Sequence, residues 1–372
     1  MDIIEMIYMN KYKKSKNLEE KALEINRYPL ELEKREKTAI EISDLKLSAA
    51  GVREVSQTRL VSFSNSFALK SDGVGTKILI AEAMKIYDTI GIDAVAMSVN
   101  DVLCVGAKPL MLVDYLAENM EIPEIRKAII QGVKKGCEIA DTTLVGGETA
   151  TLGEMINGYG DGYHFDLATA CFGIVATKNN KPITGENITE GDAIIGLHSN
   201  GLHSNGYLWV RPMLLKEFNI KAPYSLDYNK TPTGKTLGEE LLKPTLIYVE
   251  PVLKMIKELD IKGIAHITGG AYKIKLLRIA PNGISFVLDN IPEPPWIFDL
   301  IEKHANSNNE KLYETFNMGI GLCLIVSKDD KDIALKIARG CNYKADIIGY
   351  TKREEKSKVY IPSKNIVFSK VQ

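Results

Sequence analysis

The chain has 372 residues, 47 Lys+Arg against 48 Asp+Glu, a formal net charge of -1 and 45% hydrophobic residues. The length exceeds one ordinary core and predicts two domains of about 150 to 200 residues each, while the balanced charge excludes a global field for nucleic acid or an anionic membrane. Cys104, Cys137, Cys171, Cys323 and Cys341 lie far apart with no C-x-x-C pair, which predicts reduced core thiols in a cytosolic compartment.

Residues 1–55 read as an N-terminal arm, because 16–47 are dominated by Lys, Glu, Leu and Ile with almost no glycine. The first segment lacks the basic-then-apolar order of a signal peptide, and no apolar run approaches the roughly 18 residues of a membrane span, so a cytoplasmic protein is expected. Met1, Met6 and Met9 leave the start residue open. Strands at Leu60–Phe63 and Phe67–Lys70 flank Asn65-Ser66 as a hairpin that runs into Asp72-Gly73-Val74-Gly75-Thr76-Lys77. Helical periodicity follows from Thr76 to Tyr87 and from Thr89 to Val105, then a strand at Pro109–Ala117 and a helix at Glu121–Ala140. A short strand, Thr142–Val145, ends in Gly146-Gly147-Glu148-Thr149, and Phe165–Ala176 is another strand. This order suits an α+β, ferredoxin-like layer sandwich over residues 56–178.

The polar, turn-rich run Thr177–Gly191 marks the boundary to a second domain, residues 179–372. There the strands Asp192–Leu197, Ile261–Ile267, Gly283–Leu288, Ile320–Val326 and Ala345–Tyr350 alternate with helical patterns, an α/β sheet covered by helices.

Thr233-Gly234-Lys235-Thr236 imitates the end of a P-loop, but Asn229 stands where its first glycine belongs, so it reads as a turn. Glycines beside carboxylates are more informative. Backbone N–H groups approach a phosphate closely only where side chains are absent, so Gly73, Gly75 and Thr76, and likewise Gly146 and Gly147, form plausible phosphate cradles. Asp72 could hold Mg²⁺, which takes one or two carboxylates plus phosphate oxygens and water. The plainer alternative is that each glycine loop only turns the chain.

In the second domain, the run Ser199-Asn200-Gly201-Leu202-His203-Ser204-Asn205-Gly206 carries more hydrogen-bonding capacity than a turn needs and suits a sugar-phosphate. His266-Ile267-Thr268-Gly269-Gly270 repeats the pattern of apolar strand, small-residue loop and helix. His203 and His266 are therefore candidates for proton transfer, or else shape their loops. His164 and His304 read as structural.

Taken together, Asp72-Gly-Val-Gly-Thr-Lys77, Asp88-Thr-Ile-Gly-Ile-Asp93, Val99-Asn-Asp101, Gly146-Gly-Glu-Thr149, Gly201-Leu-His-Ser-Asn-Gly-Tyr207, Lys243-Pro-Thr245, Ala265-His-Ile-Thr-Gly-Gly270 and Thr315-Phe-Asn-Met-Gly319 resemble the phosphoribosylformylglycinamidine cyclo-ligase (aminoimidazole ribonucleotide synthetase) family from about Ala68 to Tyr350. The resemblance implies an α/β (α+β) fold whose first domains pair into a β-barrel in a homodimer. It also implies ATP at Asp72, Gly73, Thr76, Lys77, Asn100, Asp101, Gly147, Glu148 and Thr149, and a phosphoribosyl substrate at the loops of the second domain.

The implied reaction is ATP-dependent closure of an imidazole ring, with Mg²⁺ on Asp72 and Asp101, Lys77 offsetting phosphate charge and His203 or His266 moving a proton. Another phosphoryl transferase of the superfamily and a non-catalytic nucleotide-binding homologue are the alternatives. Lys46–Glu54 lacks the glycine-rich segment of family members, and the stretch after Glu148 differs from the usual one.

Overall fold

The computed structural model describes residues 58–62, 66–305 and 307–369. The expected arm at 1–55, the segment Lys46–Glu54 and the hairpin tip at 63–65 lie outside the described residues. Alternating sequences build a first sheet from β1 (Thr58–Ser62), β2 (Ser66–Gly73), β3 (Ala107–Glu118), β4 (Thr143–Thr151) and β5 (Phe165–Val175), in the order β1-β2-β5-β3-β4. Only β3 and β4 pair in parallel. The sheet is a half-barrel.

Helices α1 (Ile78–Met84), α2 (Asp88–Leu103) and α3 (Pro123–Ile139) accompany it. Nearly every residue of α2 from Ile90 to Leu103 is buried, because the helix packs against β2, β5 and α3 at once. The crossing of α2 and α3 is close enough to require glycine. A Cβ on Gly132 would stand 1.9 Å from the Asp88 carbonyl oxygen, and one on Gly91 would stand 2.2 Å from the Val133 amide nitrogen. We expect Gly132→Ala to cost ~2–3 kcal/mol by overpacking, read as a lower urea midpoint at unchanged slope. A variant as stable as its parent would show that the helices part without loss.

The strand alternation carries apolar residues on both faces of this sheet. Ala68, Leu112, Leu116, Leu167 and Cys171 are buried, while Leu69, Met111, Val113 and Tyr115 on the opposite face remain 40–49% exposed. Register joins that outer face into one stripe, since Leu69 and Met111 both lie opposite Phe172 of β5, and Val113 and Tyr115 lie opposite Ala170 and Ala168.

The second sheet contains β6 (Ala193–His198), β7 (Gly263–His266), β8 (Ile284–Val287), β9 (Ile320–Val326), β10 (Ala345–Arg353), β11 (Lys358–Ile361) and β12 (Ile366–Ser369), ordered β12-β11-β8-β10-β6-β9-β7. Its helices are α4 (Tyr207–Leu214), α5 (Leu237–Leu241), α6 (Val249–Glu258), α7 (Ala271–Ile279), α8 (Trp296–His304), α9 (Asn309–Thr315) and α10 (Lys331–Gly340). The fold is thus the α/β (α+β) arrangement expected from the sequence.

Two details differ from the expected pattern. Gly146-Gly147-Glu148-Thr149 is not a loop: β4 continues to Thr151, with Val113 opposite Gly146 and Asp114 opposite Gly147, because the long strand β3 offers it a partner throughout. Asn100 and Asp101 sit inside α2, as the helical periodicity from Thr89 to Val105 predicts. The elements α9, β11 and β12 were not anticipated. The P-loop imitation is indeed a turn, closed by a capping box in which the Thr236 side chain accepts from the Glu239 N–H and Glu239 accepts from the Thr236 N–H. Among the described residues no helix is long and apolar enough to cross a membrane.

Candidate active site

The end of β2, the helix α2, the segment Lys243–Tyr248 that leads into α6, and the loops after β6 and β7 come together. Lys77, which follows the exposed Gly75 and Thr76, is fully buried. Its ammonium lies 2.7 Å from Asp93 Oδ2 as an ion pair and donates to the Lys243 carbonyl at 2.6 Å. Asp93 Oδ1 accepts from the Thr245 N–H and Oγ1, both at 2.7 Å, and from Ser204 Oγ at 3.1 Å. One buried carboxylate of α2 therefore gathers Lys77, Ser204 and Thr245. Burial lowers the Lys77 pKa despite the opposing charge of Asp93.

Asn100, further along the same helix, is also fully engaged. Its Oδ1 accepts from the Tyr248 N–H at 2.9 Å and its Nδ2 donates to the Leu246 carbonyl at 2.8 Å. Neighbouring Asp101 is buried between two partners: Oδ1 lies 2.8 Å from His266 Nδ1, and Oδ2 lies 2.9 Å from the Lys70 ammonium, which also stands 3.1 Å from Asp72 Oδ2. Burial alone would raise the Asp101 carboxyl, but the His266 hydrogen bond and the Lys70 charge overcome it and hold it well below the usual carboxylate range.

His266 Nε2 has no partner among the described residues, and neither ring nitrogen of His203 has one. Both side chains are 2% exposed. His203 adopts φ +62°, in the left-handed region, with its ring 6.3 Å from that of Tyr248. A Cβ on Gly321 of β9 would fall 2.7 Å from His203 Cε1, so that glycine makes room for the imidazole. Around them, Asn200 Oδ1 and Asn205 Nδ2 are likewise buried without partners, although Asn200 Nδ2 donates to the Pro244 carbonyl and Asn205 Oδ1 accepts from the Gly269 N–H. Ser199 donates to Asn317, whose Nδ2 donates to the Gly201 carbonyl. Buried polar atoms without partners cost ~1–3 kcal/mol each, and four residues, His266 at the end of β7 and Asn200, His203 and Asn205 in the loop after β6, carry them here. This is the arrangement expected of a site that meets a polar ligand.

Burial, helped by the neighbouring His266 and Lys77, drives the His203 pKa well below its ordinary value. The native imidazole is therefore neutral where the unfolded one binds a proton, so stability rises with pH up to about 6.5 and is lost below it at a limiting slope of about 1.4 kcal/mol per pH unit. Urea midpoints between pH 7 and pH 5 should fall more steeply for the parent than for His203→Asn. Parallel profiles would contradict the neutral buried imidazole.

The structure brings together Lys77, Asp101, His203, His266, Ser199, Asn200, Gly201, Ser204, Asn205, Thr268, Gly269 and Gly270. It leaves Gly146, Gly147 and Glu148 exposed and Thr149 half-buried on the edge strand β4. Asp72 and Asp101 converge, as a Mg²⁺ pair must, but they converge on the Lys70 ammonium. Among the described residues no three His, Cys, Asp or Glu side chains form a metal cluster. As folded, the pair does not fit Mg²⁺. Lys70 and Tyr248 went unnoticed in the sequence, although the parity that buries Ala68 also turns Lys70 inward. His164 Nδ1 lies 3.2 Å from Glu82 Oε2, and all five cysteines are buried and free.

Residues 57–175 match the family model described as AIR synthase related protein, N-terminal domain, and residues 189–362 match its C-terminal domain. The chain is 44% identical over 313 residues to the phosphoribosylformylglycinamidine cyclo-ligase of Methanocaldococcus jannaschii, covering 83% of each chain. It is 47% identical over 279 residues to that of Carboxydothermus hydrogenoformans, covering 75% of this chain and 78% of the relative. Among solved structures, its fold is similar to hydrogenase maturation protein HypE in complex with ATP, with a TM-score of 0.55 and 19% identity over 89% of this chain and 93% of that one.

Proposed function

The chain belongs to the AIR synthase related protein family, and we propose that it catalyses the ATP-dependent ring closure of formylglycinamidine ribonucleotide to aminoimidazole ribonucleotide in de novo purine biosynthesis. The observation that carries this reading is the identity to cyclo-ligases across most of both chains. In the reaction, ATP phosphorylates the formyl oxygen, the amidine nitrogen attacks the activated carbon, and inorganic phosphate leaves as the imidazole closes. Nucleophile and electrophile share one molecule, so the protein's task is to fold the substrate, meet its phosphate and exclude water.

The loops 199–206 and 266–270 suit the phosphoribosyl substrate, because Asn200, Asn205, His203 and His266 hold buried polar atoms in want of partners. His203, neutral at working pH, would accept the proton that the attacking nitrogen sheds. Asp101 holds His266 through Nδ1 and leaves Nε2 toward the site. We assign ATP to Gly73 at the end of β2, to the exposed Gly75 and Thr76 that follow it, and to Gly146–Thr149 along β4. Asp72, Lys77, Asn100 and Asp101 act from beneath as the wall of that site. Mg²⁺ belongs with the phosphates of ATP rather than with the two aspartates alone.

The reading includes residues 56–178 as the nucleotide and dimerisation domain, 179–372 as the substrate domain, and a cytoplasmic homodimer. Support for the dimer comes from the outer stripe Leu69, Met111, Val113 and Tyr115, an exposed apolar face that a second copy of the half-barrel would cover. Tyr115→Asp should shift the dimer to monomer by light scattering at micromolar concentration; an unchanged mass would place the contact elsewhere. For the activity itself, ATP consumption must depend on formylglycinamidine ribonucleotide and release one phosphate per ring closed. Hydrolysis indifferent to that substrate would overturn the reading.

A further inference from the structure

We infer that the Lys70 ammonium is the built-in cation of the Asp72–Asp101 pair, so that without nucleotide this pair has no divalent-metal site. The inference concerns the same site as the proposed function and rests on its own geometry. Lys70 is 4% exposed, and its ammonium lies 3.1 Å from Asp72 Oδ2 and 2.9 Å from Asp101 Oδ2. A Mg²⁺ ion bound by the same two oxygens would need them at about 2.0–2.1 Å, and the ammonium stands between them.

The surrounding charge reinforces the exclusion. Lys275 of α7 also acts on Asp101, so a second lysine charge stands near the Lys70 ammonium. A divalent ion entering between the two carboxylates meets the Lys70 ammonium at short range, where solvent screens little. The second oxygen of Asp101 remains on His266, and Asp72 Oδ1 accepts from the Gly73 N–H at 2.9 Å, so each of the four carboxylate oxygens already meets a partner.

The test titrates Mn²⁺ alone into the full chain and reads free Mn²⁺ by electron paramagnetic resonance, with no nucleotide, substrate or turnover. Its failure is thus separable from failure of the proposed activity. The parent should show no site up to roughly 1 mM. Lys70→Met, which keeps the stem and removes the charge, should gain one site roughly tenfold tighter or better, and Asp101→Asn in that background should remove it. A parent that binds one Mn²⁺ and loses it on Asp101→Asn overturns the inference, as does a Lys70→Met protein with the parent's circular dichroism that gains nothing. If Lys70→Met does not fold, the comparison of parent with Asp101→Asn decides alone: no site in the parent supports the inference and a site lost on Asp101→Asn overturns it.

Discussion

Lys77→Met should destabilise the protein by ~3–5 kcal/mol, because it strands the fully buried Asp93 carboxylate without its counter-charge. Asp93 would keep its donors at Thr245 and Ser204, so the low end of that range is the firmer expectation. Desolvation of the remaining charge makes the loss large, even though the intact pair gives little net stability. Lys77→Met combined with Asp93→Leu should regain part of the loss, since it removes the stranded charge as well. Urea unfolding checks both variants. The experiment also separates two roles for this lysine. A Lys77→Met protein with parental stability but no turnover would mean that the ammonium serves a phosphate; a large stability loss means that it fastens β2 and α2 to the segment carrying Lys243 and Thr245.

Much of the scaffold was legible because its signals are local. Ile320–Val326 is an unbroken apolar run bounded by Gly319 and Ser327, and it forms β9 at those limits. Helix α3 announced itself by Ile125, Ile129, Val133 and Cys137 at helical spacing, with Pro123 at its first turn. Other elements carried weak or misleading signals. Helix α9 buries only Leu312 and Tyr313 and is otherwise polar; its one clear cue was Asn308, which caps it by accepting from the Lys311 N–H. The glycines at 146–147 argued for a loop, yet a Cβ at Gly147 would come 2.2 Å from Asp114 Oδ1, so close strand packing explains that glycine.

The site was legible as a set of loops and illegible as a set of pairs. His266 and Asp101 are 165 residues apart, and Asn100 and Tyr248 are 148 apart; no spacing rule joins them. Lys70 was hidden for a different reason. In β2 the apolar residues Phe67 and Leu69 occupy the face away from α2, so the usual rule that apolar residues point inward assigned the wrong parity to the lysine between Leu69 and Ser71. A sheet with two apolar faces defeats that rule wherever one of the faces serves a partner.

His203→Asn should lower kcat by roughly 10²-fold or more while leaving the fold intact and ATP binding nearly unchanged. The histidine holds φ +62°, a conformation that asparagine adopts more readily than most residues, so the backbone should accept the change. It also keeps two buried ring nitrogens without partners, a stability cost that a merely loop-shaping residue would not need to carry. Because burial keeps the imidazole neutral, it can accept a proton at working pH; a carboxamide cannot. Stability and turnover should therefore move independently, with the unfolding midpoint near neutral pH equal to or above the parent's while kcat falls. If His203→Asn retains kcat within a few-fold of the parent, proton transfer passes to His266, whose Nε2 is the other unpartnered imidazole nitrogen at the site.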